Sequence, residues 1–210
     1  MPEIIRVERF EVGDLQTNAF VVFSETSFTS LIIDPGAEPE RIVRFVESNR
    51  LRPAGIILTH GHVDHSGGVA ALLAVWPVPL MIHRLDRSLL RSPLNRDMGE
   101  SLGLALPPEP DRLLEEGEII SAGEVAFTVI HTPGHTPGSV TLAQGRRLFT
   151  GDTLFRGDVG RTDLAGGDEV ELKRSLRLLS RFPADTLVLP GHGDLTTLGE
   201  EIATNPFLAP

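Results

Sequence analysis

The sequence predicts an α/β protein: sheets with helices packed on them, built as two similar halves of about residues 1–90 and 111–210. Three observations carry this. Apolar stretches of strand length alternate with amphipathic stretches of helix length through the first half. The same order of elements returns in the second half, without any repeat of the sequence itself. Loops rich in glycine, proline and polar residues punctuate the strands. With 210 residues, 40% of them hydrophobic, the chain is long enough to bury a sizeable core as a single domain.

Residues 4–12, 19–23 and 31–33 read as strands, separated by Gly13-Asp14 and by a Ser/Thr run. Asp34-Pro35-Gly36 is a turn. Residues 38–49 form a helix with Ile42, Val43, Phe45 and Val46 on one face and Pro39 near its start. Residues 55–58 read as a fully buried strand. A polar loop, a helix at 69–75 and a strand at 79–82 complete the first half. Residues 92–110 carry four prolines and few apolar anchors, so a loop or short helix crossing between halves is expected there, either a plain linker or a lid. In the second half, residues 118–121, 125–130, 139–143 and 147–149 read as a meander. Residues 169–181 form an amphipathic helix with Leu172, Leu176 and Leu179 on its buried stripe, and 186–189 is a last buried strand. Residues 200–205 read as a short terminal helix.

Composition removes whole classes. No cysteine means no disulfide framework, no thiolate metal site and no cysteine nucleophile. The net charge of -10 disfavours nucleic acid as a partner and attracts cations. No apolar run approaches the ~20 residues of a membrane span, and the N-terminus does not read as a signal peptide. A cytoplasmic location and no membrane partner are the expectations.

The chemistry concentrates in Thr59-His60-Gly61-His62-Val63-Asp64-His65, straight after a buried strand. His60 and His62 alternate in extended backbone and can share one metal. Asp64 and His65 sit where the chain turns towards a helix and can face a second point. Three of the chain's seven histidines fall here, a density that suits divalent zinc, iron or manganese better than a role in the core. Further candidates follow other strands: His135 after 125–130, Asp152 after 147–149, and His192 after 186–189. Strand-end loops are where α/β folds gather ligands. Seven ligands, His60, His62, Asp64, His65, His135, Asp152 and His192, exceed one tetrahedral ion and suit two ions with a shared carboxylate.

These motifs, with His-Thr-Pro-Gly-His-Thr-Pro-Gly-Ser-Val at 131–140, Phe-Thr-Gly-Asp-Thr-Leu-Phe-Arg-Gly-Asp-Val-Gly-Arg-Thr-Asp-Leu at 149–164 and Pro-Gly-His-Gly at 190–193, resemble the metallo-β-lactamase superfamily. Within it they resemble the glyoxalase II (hydroxyacylglutathione hydrolase) group, over nearly the whole chain. The resemblance implies a four-layer αβ/βα sandwich. It implies one metal on His60, His62 and His135 and another on Asp64, His65 and His192. Asp152 would bridge them, with a hydroxide between. Zinc is the expected metal, and Asp64 and Asp152 would be the catalytic carboxylates. Asp34 resembles the aspartate that steadies the metal loop; a simple turn aspartate is the plain alternative. His131 is expected to pack or hydrogen-bond beside the ligands. His83 is expected at the surface or as a helix cap.

Two departures from full-length glyoxalase II bear on substrate. The chain ends about a dozen residues after Thr197, so the helical glutathione-binding domain is expected to be missing. The basic residue and tyrosine that hold glutathione are replaced by Arg161 and Asp163, and the chain has no tyrosine. Arg161 remains the candidate substrate-binding cation, with a structural salt bridge as the alternative. The stretches at 160–163 and 196–208 look like the short, single-domain bacterial glyoxalase II-like hydrolases. The expected function is thus hydrolysis of a small-molecule thioester of the hydroxyacylglutathione type by a monomer or homodimer. The alternatives are a mononuclear iron persulfide dioxygenase, whose family shares the histidine motifs and a similar Gly-Arg-Thr-Asp segment but usually precedes that segment with a cysteine where this chain has Val159, a lactonase on the same site, and a non-enzymatic metal-binding domain.

Overall fold

The structure, a computed structural model, describes residues 5–208. Ile4, which the sequence places at the start of the first strand, lies outside the described residues. The first half runs β1 (Ile5–Val12), β2 (Thr17–Ser24), β3 (Thr29–Ile33), α1 (Pro39–Ser48), β4 (Arg52–Ile57), α2 (Val63–Ser66), α3 (Val69–Val75) and β5 (Leu80–His83). Next come α4 (Pro93–Leu102) and β6 (Arg112–Leu114). The second half holds β7 (Ile119–Ala122), β8 (Val125–His131), β9 (Val140–Gln144), β10 (Arg147–Gly151), the small hairpin β11 (Leu154–Phe155) and β12 (Asp158–Val159), α5 (Glu169–Leu179), β13 (Leu187–Pro190), β14 (Thr196–Thr197) and α6 (Leu198–Thr204).

Two six-stranded sheets result, β1-β2-β3-β4-β5-β6 and β14-β13-β10-β9-β8-β7. They pack face to face because their central strands are apolar on both sides. In β2, Phe20 and Val22 point into the space between the sheets while Ala19 and Val21 point to the helices, the period-2 alternation of a strand. The inter-sheet core joins Phe20, Leu31, Ile33 and Ile57 of one sheet to Phe127, Val129, Leu142 and Phe149 of the other. Phe20 meets Phe149 edge-on at 5.2 Å, one of the contacts that lock the layers. Outside the first sheet, Ile42 and Val46 of α1 and Val69 and Leu72 of α3 cover Val21, Ile32 and Ile56. Outside the second, Leu172, Leu176 and Leu179 of α5 cover Ile130, Leu148 and Val188. The layers run α/β/β/α, the four-layer sandwich expected.

The segment at 92–110 is more than a linker. Pro93 at the helix start and the Ser92 hydroxyl, which accepts from the Asn95 N–H at 3.2 Å, open α4, and Gly103 in the left-handed region closes it. The sequence did not show β6, β11, β12 or β14. Each has only two or three residues, too few for a period to register.

Parallel pairing sets where the ligands meet. β3, β4, β5 and β6 run parallel, and β10 runs parallel to β13. β8 shares that direction because both it and β10 are antiparallel to β9. The loops after β4, β8, β10 and β13 therefore carry the chain's histidine motifs to one edge of the sandwich.

Candidate metal centre

The loop after β4 turns sharply and buries four polar side chains. His60 is 1% exposed, His62 5%, Asp64 9% and His65 0%. Two other turns make this possible. The Asp34-Pro35-Gly36 turn backs onto it: a Cβ at Gly36 would overlap the Asp64 carbonyl oxygen. Gly151, in the left-handed region with φ 48°, leaves room for the Thr59 side chain, which any Cβ would strike.

The predicted ligands fall into two groups. Nitrogens of His60, His62 and His135 lie within 4.8 Å of one another, and so do ligand atoms of Asp64, His65 and His192. Asp152 stands between them. Its Oδ2 lies 3.5 Å from His135 Nε2 and 3.6 Å from His192 Nε2, and its Oδ1 lies 3.3 Å from His65 Nε2.

The outer nitrogens fix the direction of the inner ones. His135 Nδ1 donates to the Arg161 carbonyl at 2.8 Å, and His192 Nδ1 donates to the Leu15 carbonyl at 3.0 Å. His65 Nδ1 donates to Asp34 Oδ2 at 3.1 Å. The Thr59 hydroxyl gives its proton to Asp34 Oδ2 at 2.6 Å, so it accepts from His60 Nδ1 at 3.2 Å. In the neutral ring each Nε2 is then a bare lone pair aimed inward. His65 Nε2 faces His192 Nε2 at 3.2 Å, and His62 Nδ1 faces His135 Nε2 at 2.9 Å. His60 Nε2, His62 Nε2 and Asp152 Oδ1 are buried with no hydrogen-bond partner. The facing lone pairs of His65 and His192 and the unpartnered Nε2 of His60, beside two carboxylates, are satisfied by cations. The donor set, five imidazoles and two carboxylates, fits two divalent ions.

The electrostatics agree. Burial, then the neighbouring His65, holds the His60 pKa well below its ordinary value. Burial and His135 lower His62 to about 4. Both rings are neutral at pH 7, the ligating form. For Asp152, burial opposes the charge, but His65, with His60 and His135, overcomes it and holds the carboxyl well below the usual range. For His65 burial opposes the proton, yet Asp152 and Asp64 raise its pKa well above the ordinary value. The centre thus calls for positive charge that a bound cation would supply.

Asp34 is no simple turn residue: its carboxylate takes the Thr59 N–H at 2.7 Å, the Thr59 hydroxyl and His65 Nδ1. His131 Nε2 donates to the Pro137 carbonyl at 2.8 Å, as expected of a neighbour to the ligands. The expectation for His83 is corrected. It is 4% exposed, makes no cap hydrogen bond, and stacks on His131 with centroids 4.2 Å apart. It ends β5 facing β8 across the interior, where a ring can pair with a ring. The Arg161 guanidinium is exposed and forks onto both Asp163 carboxylate oxygens at 2.7 Å, while its backbone carbonyl holds His135.

Sequence reasoning missed Asp86 and Asn95. Asp86 is fully buried and accepts from Gly61 N–H, Thr136 Oγ1 and Gly138 N–H. Asn95 Nδ2 donates to the Gly61 carbonyl at 2.6 Å. An aspartate just past a buried strand was the signal available for the first. Beside the centre, a cavity of about 240 Å³ reaches Asp64 and Thr17 and is lined by Val12, Leu15, Leu102 and Leu104, with Asp14 and Glu38. No described helix is long and apolar enough to cross a membrane.

Comparison with known proteins bears on the family and the fold. The family model described as "Metallo-beta-lactamase superfamily" matches residues 12–192. "Probable metallo-hydrolase YqgX" of Bacillus subtilis is 35% identical, over 95% of this chain and 96% of its own. "Hydroxyacylglutathione hydrolase GloC" of Haemophilus influenzae is 35% identical, over 97% and 98%. Among solved structures, BLEG-1 B3 metallo-beta-lactamase superposes with a TM-score of 0.91 at 36% identity, over 98% of this chain and all of its own. TTHA1623 in a di-iron-bound form gives 0.87 at 41%, over 96% and 100%. ETHE1 from Myxococcus xanthus gives 0.81 at 28%, over 97% and 83%.

Proposed function

The chain belongs to the metallo-beta-lactamase superfamily, and we propose that within it this protein is a dinuclear metal-dependent hydrolase of small thioesters, of the hydroxyacylglutathione type. The observation that carries the two-ion reading is the completeness of both triads, with Asp152 within reach of each. The relative named hydroxyacylglutathione hydrolase supports the thioester class. The di-iron neighbour supports iron as the alternative to zinc.

When bound, divalent ions would lower the pKa of a water towards ~7 and polarise a carbonyl oxygen. The chain's own groups do the rest. Asp64 and Asp152, both held ionised, would hold the ions together with the five imidazoles. His192, with 26% of its side chain exposed, stands where substrate enters. The apolar wall of Val12, Leu15, Leu102 and Leu104 receives the acyl group beside Asp64. A thiol of pKa near ~8.5 leaves readily as thiolate, so no acid is needed at the leaving group. Arg161 takes a carboxylate of the carrier once it exchanges Asp163 for it.

The test is a panel on metal-analysed protein: a hydroxyacylglutathione thioester, a lactone, and glutathione persulfide with an oxygen electrode. Thioester cleavage with about two ions per chain is the expected result. Oxygen uptake with one iron would replace this reading by the dioxygenase, and lactone cleavage alone by the lactonase.

A further inference from the structure

We propose that Asp86 is a positioning residue for one half of the metal centre: it ties the loop carrying His60 and His62 to the loop carrying His135, so that three imidazoles from two distant segments meet at one point. This does not depend on which substrate the centre takes.

Asp86 ends a single 3-10 turn directly after β5 and has no exposed surface. Its Oδ2 accepts the Gly61 N–H at 2.8 Å and the Thr136 hydroxyl at 2.7 Å, and its Oδ1 accepts the Gly138 N–H at 2.6 Å. Gly61 separates His60 from His62, and Thr136 follows His135. Each donor to this buried carboxylate therefore lies within three positions of a ligand of the first triad. Hydrogen bonds to an ionised acceptor are short and strong, and a buried carboxylate is tolerated only when it is satisfied in this way.

The backbone is cut to fit. A Cβ at Gly138 would overlap the Asp86 carboxylate, and one at Gly61 would sit 3.0 Å from the Asp86 carbonyl oxygen. Asn95 grips Gly61 from the other side through its carbonyl, so this residue between two ligands is held at both its N–H and its C=O. Asp34 is a second buried carboxylate behind the centre, touching His65 directly and His60 through the Thr59 hydroxyl. Asp86 differs in joining the first loop to the loop of His135. Asp86 belongs to neither triad and acts through the loops.

The test reads metal affinity by chelator competition with Zn²⁺ alone, together with melting of the metal-free protein. In Asp86→Asn an amide NH₂ must face a backbone N–H whichever way it turns. Loss of such an outer partner weakens metal binding by about 10- to 100-fold. The proposal requires this loss in a His192→Ala background, where only the first triad is complete. It requires less than about a twofold further change in a His135→Ala background, where that triad is already broken. Thr136→Val removes one of the three bonds to Asp86, and the Thr136–Ser139 hydroxyl contact with it, without changing volume, and should cost about 3- to 10-fold at the same half-site. Thr136→Ser should restore it. If Asp86→Asn does not fold, the Thr136 pair decides. Equal losses at both half-sites, or unchanged affinity with only a lower melting temperature, would show Asp86 to be plain scaffold.

Discussion

Replacing Asp34 by Asn should turn one histidine ring around electrically without moving it. Asp34 sits at φ 48°, a conformation Asn tolerates well, so the backbone has no reason to shift. The carboxylate serves three donors: Thr59 N–H at 2.7 Å, Thr59 Oγ1–H at 2.6 Å and His65 Nδ1–H at 3.1 Å. An amide keeps one acceptor oxygen, for the Thr59 N–H. Its NH₂ then faces the Thr59 hydroxyl, which can rotate to accept, and His65 Nδ1, which can accept only by giving up its proton. That proton moves to Nε2, the nitrogen 3.2 Å from His192 Nε2 and 3.3 Å from Asp152 Oδ1. The lone pair meant for an ion is lost. Removal of an outer partner typically costs 10- to 100-fold in affinity, about 1.4–2.8 kcal/mol. The misfit itself costs about 1–3 kcal/mol of fold stability. At about 2–4 °C per kcal/mol for a chain of this size, the metal-free protein should melt about 2–12 °C lower. Chelator competition and melting of the metal-free form measure the two effects separately. Wild-type affinity for both ions in Asp34→Asn would refute the tautomer argument, whatever the melting temperature did.

Asp152→Ala should abolish pairing of the ions and cut turnover by orders of magnitude while circular dichroism and the melting transition persist, because the core lies between the layers and not at this loop; two tightly held ions and normal turnover would contradict it. Arg161→Ala should raise KM for a glutathione thioester by up to about tenfold, about 1.4 kcal/mol, with kcat little changed. Asp163→Ala, which frees the guanidinium, should lower KM, and an uncharged thioester should feel neither change. Equal effects on both substrates would leave Arg161 a loop residue whose carbonyl holds His135. Burial, His131 and Arg84 lower the His83 pKa to about 4. Between pH 6.5 and 4 the unfolded chain then binds a proton that the folded one refuses, so stability falls as pH falls through that window. His83→Leu should flatten the pH dependence of the metal-free protein's urea midpoint there; an unchanged slope would show that another group carries it.

The sequence made the ligand-bearing loops legible because each follows a strand long and apolar enough to recognise, and because imidazoles are rare elsewhere in the chain. The helix stripe of Leu172, Leu176 and Leu179 was legible for the same reason: its period survives without tertiary context. What supports the ligands was not. Asp86 and Asn95 look like ordinary polar residues, and only the meeting of β5, α4 and the two metal loops gives them partners. The burial of His83 depends on His131, distant in the chain and in the other sheet, which no local pattern shows. The two-residue strands β11, β12 and β14 exist only as pairings.

The central claim is that both triads hold ions and that both serve thioester cleavage. The direct measurement is reconstitution of metal-free protein with increasing Zn²⁺ or Fe²⁺, following hydroxyacylglutathione hydrolysis at each step. Activity should stay low through the first equivalent and reach its maximum at about two ions per chain, the count the two triads require. Full activity at one equivalent, or oxygen consumption with glutathione persulfide in place of thioester cleavage, would contradict the account.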